Sequence, residues 1–203
     1  MKIYADLHVH SFLSRATSQK MTIAEITRYA RIKGLNMLGT GDALHPAWIK
    51  ELKTELDDLP GTNLYRPKKH GEGIYFATQA EVATIHRYEG KVRRIHHVIL
   101  MPSLEVAEQL SEALSSYGDV RADGRPTLNI APTELVEIAM KIDSRNFVFP
   151  AHAWTSRRDA MLDQKPWWSI FGAIGGVDTM EECYGDQTKH IHALETGLID
   201  SFA

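Results

Sequence analysis

Cysteine is almost absent from this chain of 203 residues, which contains only Cys183. A single thiol excludes both a disulfide within the chain and a zinc site built from several cysteines. No apolar run approaches the roughly 20 residues that a membrane-spanning helix needs. The first residues lead directly into a strand pattern rather than a secretory signal. We therefore expect a soluble, cytoplasmic protein.

An excess of positive charge is also missing. The formal net charge is −3, so binding to nucleic acid would have to depend on local basic clusters. Hydrophobic residues make up 43% and charged residues 24% of the chain, which is ordinary globular usage. The length suffices for one domain with a substantial core. We expect a single domain over residues 1–203.

Histidine, by contrast, is abundant, with ten residues. Two of them stand in the segment Asp6-Leu7-His8-Val9-His10-Ser11, where polar and apolar residues alternate as in a strand. Because residues i and i+2 of a strand point the same way, His8 and His10 should project side by side. Two imidazoles in that arrangement can hold one metal ion or two adjacent ions.

Strand and helix patterns alternate along the rest of the chain. Thr22-Ile23-Ala24-Glu25 resembles a capping box for a helix that ends at Gly34. A second helix is expected to begin at Pro46 and to end near Pro60-Gly61. The alternation predicts an α/β fold with parallel strands, arranged as an open sheet or a barrel.

Potential metal ligands fall at the ends of the predicted strands, where parallel α/β folds gather their functional groups. Imidazole and carboxylate groups suit Zn²⁺, Mn²⁺ or Fe, and several carboxylates among the histidines indicate two or more ions. Adjacent histidines on a strand point in opposite directions, so at most one of His96 and His97 should face the site. The predicted ligands are His8, His10, Asp42, Glu81, His97, His152 and Asp200.

Each of these residues also has a structural interpretation. A single histidine at a strand end is more often a hydrogen-bonded structural residue, and Asp42 follows a glycine, which is typical of a turn or an N-cap. Glu81 could be a solvated loop carboxylate. His45 precedes Pro46 and could cap that helix or support Asp42. The metal hypothesis depends on the coincidence of many ligand types at successive strand ends.

The opening motif resembles that of the PHP (polymerase and histidinol phosphatase) superfamily. Members are distorted (β/α)7 barrels of the TIM type that bind two or three metal ions and hydrolyse phosphate esters. A wider set of motifs is similar to the endonuclease Q family, and it comprises Ser14-Arg15-Ala16-Thr17-Ser18, Gly39-Thr40-Gly41-Asp42, His45-Pro46, His152-Ala153-Trp154-Thr155, Trp168-Ser169-Ile170-Phe171-Gly172, Glu181-Glu182-Cys183-Tyr184-Gly185-Asp186 and Ala193-Leu194-Glu195-Thr196-Gly197-Leu198.

The resemblance implies a zinc-dependent DNA repair nuclease that nicks DNA 5′ of deaminated bases (uracil, hypoxanthine, xanthine) or abasic sites. Two departures from the family pattern bear on the site. Thr40-Gly41-Asp42 stands where PHP proteins have Thr-Asp-His, which puts Asp42 at a histidine ligand's position. The segment from Gly197 to Ala203 departs from the family's Gly-Leu-Ser-Ser-Asp-Pro, so Asp200 is either the last ligand displaced by one residue or unrelated. We expect the cysteine-rich zinc module of the family to be absent.

Further residues are assigned to catalysis and to DNA. We assign Asp200, His152 and Arg15 to catalysis, and expect Arg15 and Thr17 to touch the scissile phosphate. Predicted substrate contacts are Arg15, Thr17, His45, Trp154, Lys68, Lys69, Arg93 and Arg94. The basic clusters could equally be solvated surface runs, and Trp154 could pack in the core instead of lining a pocket for a flipped base.

Two other functions are compatible with the sequence. The first is a PHP phosphoesterase that acts on a small phosphorylated metabolite or nucleotide, which the acidic net charge favours. The second is an inactive PHP-like module that only binds, which the incomplete last motif favours.

Overall fold

The computed structural model describes residues 2–88 and 90–151, which form four helices and eight strands. In chain order these are β1 (Ala5–Asp6), α1 (Ile23–Lys33), β2 (Met37–Gly39), α2 (Pro46–Glu55), β3 (Leu56–Leu59), β4 (Leu64–Pro67), β5 (Tyr75–Tyr88), β6 (Lys91–Met101), α3 (Leu104–Leu114), β7 (Thr127–Leu128), α4 (Pro132–Ile142) and β8 (Phe147–Pro150). The predicted α/β class is confirmed. Within the described residues, none of the helices has the length and apolar character needed to cross a bilayer.

The strands form one mixed sheet around β5. Strands β1, β2 and β5 run parallel, and β7 joins β5 in the same sense. Strands β3 and β4, by contrast, are antiparallel to their neighbours, as are β6 and β8. The prediction of a parallel sheet is wrong for these four strands, because short connections such as the two residues between β5 and β6 allow only antiparallel pairing. Over the described residues the sheet does not close, since β1 pairs only with β2 and β8 only with β6.

Strand β5 changes neighbours along its length. Residues 75–77 pair with β2 and β4, whereas the segment from Thr78 onward pairs with β6 over eleven consecutive residues without a bulge. This long two-stranded ribbon carries Glu81 near the point where the neighbours change. The N-terminal segment after β1 is thereby brought next to the ribbon.

The helix boundaries follow local capping chemistry. Helix α1 begins after Thr22, whose hydroxyl accepts the Glu25 N–H, and ends at Gly34 with φ +75°, as predicted. Helix α2 begins at Pro46 as predicted but ends at Glu55. The expected continuation to Pro60-Gly61 is wrong, because Leu56–Leu59 pairs with β4 as a strand.

Helices α2, α3 and α4 pack in succession over a core that includes the fully buried Trp48. The indole N–H of Trp48 donates to the carbonyl of Thr40 at 3.0 Å, and the ring of Phe12 meets Trp48 edge-on with centroids 5.6 Å apart. Both partners lie next to the histidine and aspartate segments. The core thus holds the loops that carry the candidate ligands.

Candidate metal centre

Glu81 lies at the centre of the described cluster. Its carboxylate is fully buried and has an imidazole nitrogen near each oxygen. Oε2 lies 2.7 Å from Nε2 of His8 and 3.0 Å from Nε2 of His10, and Oε1 is bonded to Nδ1 of His96. A carboxylate removed from water in this way needs charged or hydrogen-bonding partners, and here all three are potential metal ligands.

The two N-terminal histidines lie side by side, as the alternation predicts. Strand β1 ends at Asp6, so His8 and His10 stand in the segment that follows it. Their ring centroids are 5.3 Å apart at an interplanar angle of 74°. The alternation of side-chain direction therefore continues beyond the hydrogen-bonded strand, and both imidazoles face Glu81.

On β6, the structure places His96 rather than His97 in this cluster. Glu81 pairs with Val98 across the ribbon, so residues 96 and 98 share its face and residue 97 points to the other side. His97 is fully buried, with Nε2 2.9 Å from the hydroxyl of Thr84. The register therefore places His97 on the face opposite to Glu81, and its role as a ligand stays a prediction.

The sequence contained a signal that favours His96 over His97 as the neighbour of Glu81. Only two residues separate Tyr88 from Lys91, and Glu89-Gly90 is a turn dipeptide typical of a two-residue hairpin. Pairing of Tyr88 with Lys91 fixes the whole register, in which paired residue numbers sum to 179. That register places His96 on the face of Glu81.

Asp42 lies behind His10 and outside the group of potential ligand atoms around Glu81. Its Oδ1 is 3.1 Å from Nδ1 of His10, while Oδ2 accepts the N–H of Ser11 at 2.8 Å and its hydroxyl at 2.6 Å. The hydroxyl of Ser14 also donates to this carboxylate. A carboxylate bonded to one imidazole nitrogen directs the other nitrogen towards a metal, so this geometry favours an orienting role for Asp42 over direct ligation.

Two close approaches fix the backbone around Asp42. Gly41 has φ +65°, and a Cβ there would lie 2.9 Å from the carbonyl oxygen of Val9. Gly124 packs on the other side, where a Cβ would lie 2.5 Å from Cγ of Asp42. Buried Gln79 joins the segment of His8 and His10 to the loop of Asp42, because its Oε1 accepts the N–H of Val9 at 3.2 Å and that of Gly41 at 3.1 Å. Sequence reasoning missed Gln79, whose role depends on contacts across 38 to 70 residues of chain.

The electrostatics of the cluster follow from these contacts. Burial would lower the pKa of His10, but hydrogen bonds and charges from Asp42 and Glu81 raise that pKa to about 9. Burial would raise the pKa of Glu81, but hydrogen bonds from His10, His8 and His96 hold it far below its ordinary range. A proton and a metal ion therefore compete for Nε2 of His10.

The donor set fits a transition metal. One potential ligand atom from each of His8, His10 and Glu81 lies within 4.8 Å of the other two, and His96 contacts the same carboxylate. Imidazole nitrogen and carboxylate oxygen are the ligands that Zn²⁺ binds in catalytic sites without cysteine. These residues can therefore hold an ion of that class.

Three predicted substrate contacts near the cluster have structural partners. Arg15 is 83% exposed, and its guanidinium lies 3.3 Å from Asp123. The Thr17 hydroxyl lies 2.7 Å from the carbonyl of Ser11. His45 caps α2 by accepting the Ala47 N–H, and its Nε2 donates to a backbone carbonyl. Thr17 and His45 thus use their polar groups within the fold, and only Arg15 presents a charge to solvent.

The other predicted basic contacts are dispersed. Lys68 and Lys69 follow β4, level with the residues that precede β5, which is roughly 27 Å or more along that strand from Glu81. The ammonium of Lys68 donates to two carbonyls of the last turn of α2. Arg94 lies on the Glu81 face of the ribbon, and Arg93 on the opposite face. His152, Trp154 and Asp200 lie outside the described residues.

Together, the fold and the cluster define a mixed α/β protein with a histidine–carboxylate centre suited to a transition metal. Two solved structures are similar to it. One is the lesion-specific endonuclease PfuEndoQ from Pyrococcus furiosus, with 31% identity and a TM-score of 0.69. The other is an endonuclease Q in complex with a 27-mer duplex substrate with an abasic lesion at the active site, with 31% identity and a TM-score of 0.70. The resemblance to endonuclease Q indicated by the sequence motifs is confirmed.

The similarity covers most of this chain but less than half of the solved structures. It spans 85% of this chain and 39% of PfuEndoQ, and 83% of this chain and 40% of the chain bound to the duplex. An uncharacterised protein of Methanocaldococcus jannaschii is 35% identical over 148 residues, which is 72% of this chain and 16% of that protein. No family model matches the chain.

Proposed function

We propose that this protein is a metal-dependent endonuclease that hydrolyses a DNA phosphodiester beside a damaged nucleotide. The observation that carries the proposal is a buried carboxylate contacted by three imidazoles, in a fold similar to that of a lesion-specific endonuclease. Abasic sites and deaminated bases (uracil, hypoxanthine, xanthine) are the proposed lesions, with the nick on their 5′ side. An abasic lesion occupies the active site of one similar structure.

The proposed cofactor is Zn²⁺, as two or three ions, with Mn²⁺ or Fe as the alternatives. His8, His10, Glu81 and His96 would hold it, with His152 and Asp200 as further proposed ligands. When bound, zinc lowers the pKa of a water molecule and stabilises charge on the phosphate oxygens. The backbone N–H of Ala151 donates to the carbonyl of His96, so the chain passes the cluster immediately before His152 in sequence.

The chain's own groups have distinct tasks in this proposal. Asp42 holds Nδ1 of His10 so that Nε2 faces Glu81. Gln79 keeps the segment of His8 and His10 against the loop of Asp42. The exposed guanidinium of Arg15 follows the ligand segment and would contact the scissile phosphate, while His152 and Asp200 complete the proposed catalytic set.

We also propose that residues 1–203 form a single domain of the PHP type, a distorted (β/α)7 barrel. The parallel strands β1, β2 and β5 with their intervening helices support this architecture. Trp154 would line the pocket for an extruded base, because flipped bases are commonly held between aromatic side chains.

A small phosphorylated metabolite or nucleotide is the second candidate substrate. The net charge of −3 favours it, since a polyanion such as DNA is repelled by an acidic surface. The second candidate uses the same metal centre, so substrate assays are needed to separate the two.

The decisive experiment compares three substrates with zinc-loaded protein. These are a duplex with one deoxyuridine or abasic site, the same duplex undamaged, and a small phosphate monoester. We expect a nick 5′ of the lesion only, abolished in His10→Ala and retained in His86→Gln, which changes a histidine on the opposite face of the ribbon. Turnover of the monoester alone would support the second candidate, and turnover of none would contradict both.

A further inference from the structure

The ribbon of β5 and β6 continues well beyond the metal centre. Pairing is regular from Thr78 with Met101 to Tyr88 with Lys91. On the face of Glu81 and His96, the next cross-strand pair outward is Ile85 with Arg94, and the last is Arg87 with Val92. Arg94 and Arg87 are both exposed. Two guanidinium groups therefore lie along the same face as the proposed ligands, on alternate strands.

The end of the ribbon is basic in a chain that is acidic overall. Residues 84–95 contain four basic residues, namely Arg87, Lys91, Arg93 and Arg94, and one acidic residue, Glu89. The local excess is three positive charges, against −3 for the whole chain. The pKa of neighbouring His86 is lowered by burial and by the charge of Arg93, so the basic character comes from permanently charged side chains.

Neither Arg87 nor Arg94 has an ion pair with any residue in 2–88 or 90–151. Described ion pairs instead engage basic residues elsewhere, among them Arg28 with Glu25 and Arg145 with Asp143. An exposed arginine without a carboxylate partner keeps its fork of donors available for an external anion.

We propose that Arg94 and Arg87 form a phosphate track that binds the DNA backbone on one side of the scissile phosphate. This inference rests on the proposed function. At the rise of a β-strand, Arg94 lies roughly 14 Å and Arg87 roughly 20 Å along the ribbon from the level of Glu81. Because a DNA strand winds around its axis, consecutive phosphates are roughly twice the axial rise of 3.4 Å apart, so these distances correspond to phosphates about two and about three nucleotides from the nick.

Arg93 distinguishes the proposed phosphate track from binding by a surface that is merely basic. It lies on the opposite face of the ribbon, in a cross-strand pair with His86, and its Nε is buried without a hydrogen-bond partner among the described residues. If only overall charge mattered, Arg93 would contribute as much as Arg94. If the track is correct, the effect follows the period of two along β6.

The test measures binding of zinc-loaded protein to a duplex with one abasic-site analogue over a series of salt concentrations. Arg94→Gln and Arg87→Gln should each weaken binding by about an order of magnitude at 0.1 M salt and reduce the salt slope by about 0.9. The matched control Arg31→Gln removes an exposed arginine from the last turn of α1 and should bind like the unaltered protein. Arg93→Gln should weaken binding less than Arg94→Gln, because its side chain lies on the opposite face of the ribbon.

Neutral methylphosphonate groups locate the contacts on DNA. A methylphosphonate about two nucleotides from the nick should weaken binding by the unaltered protein but not by Arg94→Gln. Equal binding by all variants, or equal loss in Arg31→Gln, would overturn the track. Nicking by a protein whose arginine variants bind normally would refute the track and keep the proposed function. Binding that depends on Arg94 and Arg87 but is not followed by nicking would support the track and contradict the proposed function. Absence of both binding and nicking would contradict both proposals.

Discussion

At the scale of single residues, two adjacent histidines on β6 have opposite electrostatic surroundings. His96 is partly exposed and contacts the Glu81 carboxylate, whereas His97 is fully buried beside Thr84. Burial, with smaller contributions from His96 and His86, lowers the pKa of His97 to about 3. His97 is therefore a neutral core residue at physiological pH, while its neighbour faces the candidate metal centre.

The neutral state of His97 predicts how stability depends on pH. Below its ordinary pKa of 6.5, the unfolded chain binds a proton at this residue that the folded chain does not bind. The free energy of unfolding should therefore fall as pH decreases from about 6.5 towards 3, by up to about 1.4 kcal/mol per pH unit from this residue. His97→Gln retains a polar group near Thr84 and should flatten this dependence in denaturant titrations at pH 7, 6 and 5. An unchanged slope would show that His97 is not the responsible group.

The sequence predicted the residues whose placement depends on short-range rules. His8 and His10 follow from strand alternation, and Glu81 from its position in a strand pattern. The placement of His96 rather than His97 beside Glu81 depends on the register between two strands, which strand alternation alone does not give. The position of Asp42 behind His10 was not predictable, since it depends on three hydroxyl and amide contacts about 30 residues away in sequence.

At the scale of elements, the loop that begins at Gly41 determines where Asp42 and His10 meet. Its positive φ resembles that of Gly34 at the end of α1. The two glycines differ in surroundings, because a Cβ at Gly34 would meet no atom within 4 Å, whereas one at Gly41 would lie 3.0 Å from Cα of His10. A side chain would therefore strain the backbone at both glycines, but only at Gly41 would the added Cβ also clash with a neighbouring segment.

This difference gives a matched pair of substitutions. Gly34→Ala should cost about 1–2 kcal/mol of unfolding free energy through backbone strain alone. Gly41→Ala should cost more and should also weaken zinc binding, since the added methyl group displaces the segment of His10. Chemical denaturation and zinc titration of both variants would test this. Equal costs with unchanged zinc affinity would contradict the role assigned to the loop.

Helix positions were largely predictable from local capping signals, as at Thr22 and Gly34. Strand direction was not predictable in the same way, because the alternation of helices and strands indicated helical crossovers between parallel strands along the whole chain. Residues 56–67 instead form an antiparallel pair that extends the sheet after α2. The sequence of Leu56–Leu59, with two aspartates between two leucines, lacks the β-branched and aromatic residues that mark strands.

At the scale of the whole molecule, the proposed ion should stabilise the fold because it binds only the folded arrangement of ligands. At a free zinc concentration of 100 times Kd, the gain is about 2.7 kcal/mol, which corresponds to roughly 5–10 °C in Tm for a chain of this size. Thermal unfolding before and after treatment with a chelator should show this loss, and added zinc should restore it.

The His10→Ala variant provides the control for that measurement. It should show a smaller zinc-dependent change in Tm, because it lacks one imidazole of the cluster. The same Tm with and without chelator in the unaltered protein would contradict a structural contribution from the ion.

The contacts around Glu81 also differ in the number of residues that separate the two partners in the sequence. His96 is 15 residues from Glu81 and lies on the same hairpin, whereas His8 is 73 residues away. The first contact comes with a local hairpin, while the second requires the N-terminal segment to dock after a much larger loss of chain entropy. A complete donor set therefore exists only after long-range closure of the fold, so metal occupancy would report tertiary assembly rather than hairpin formation.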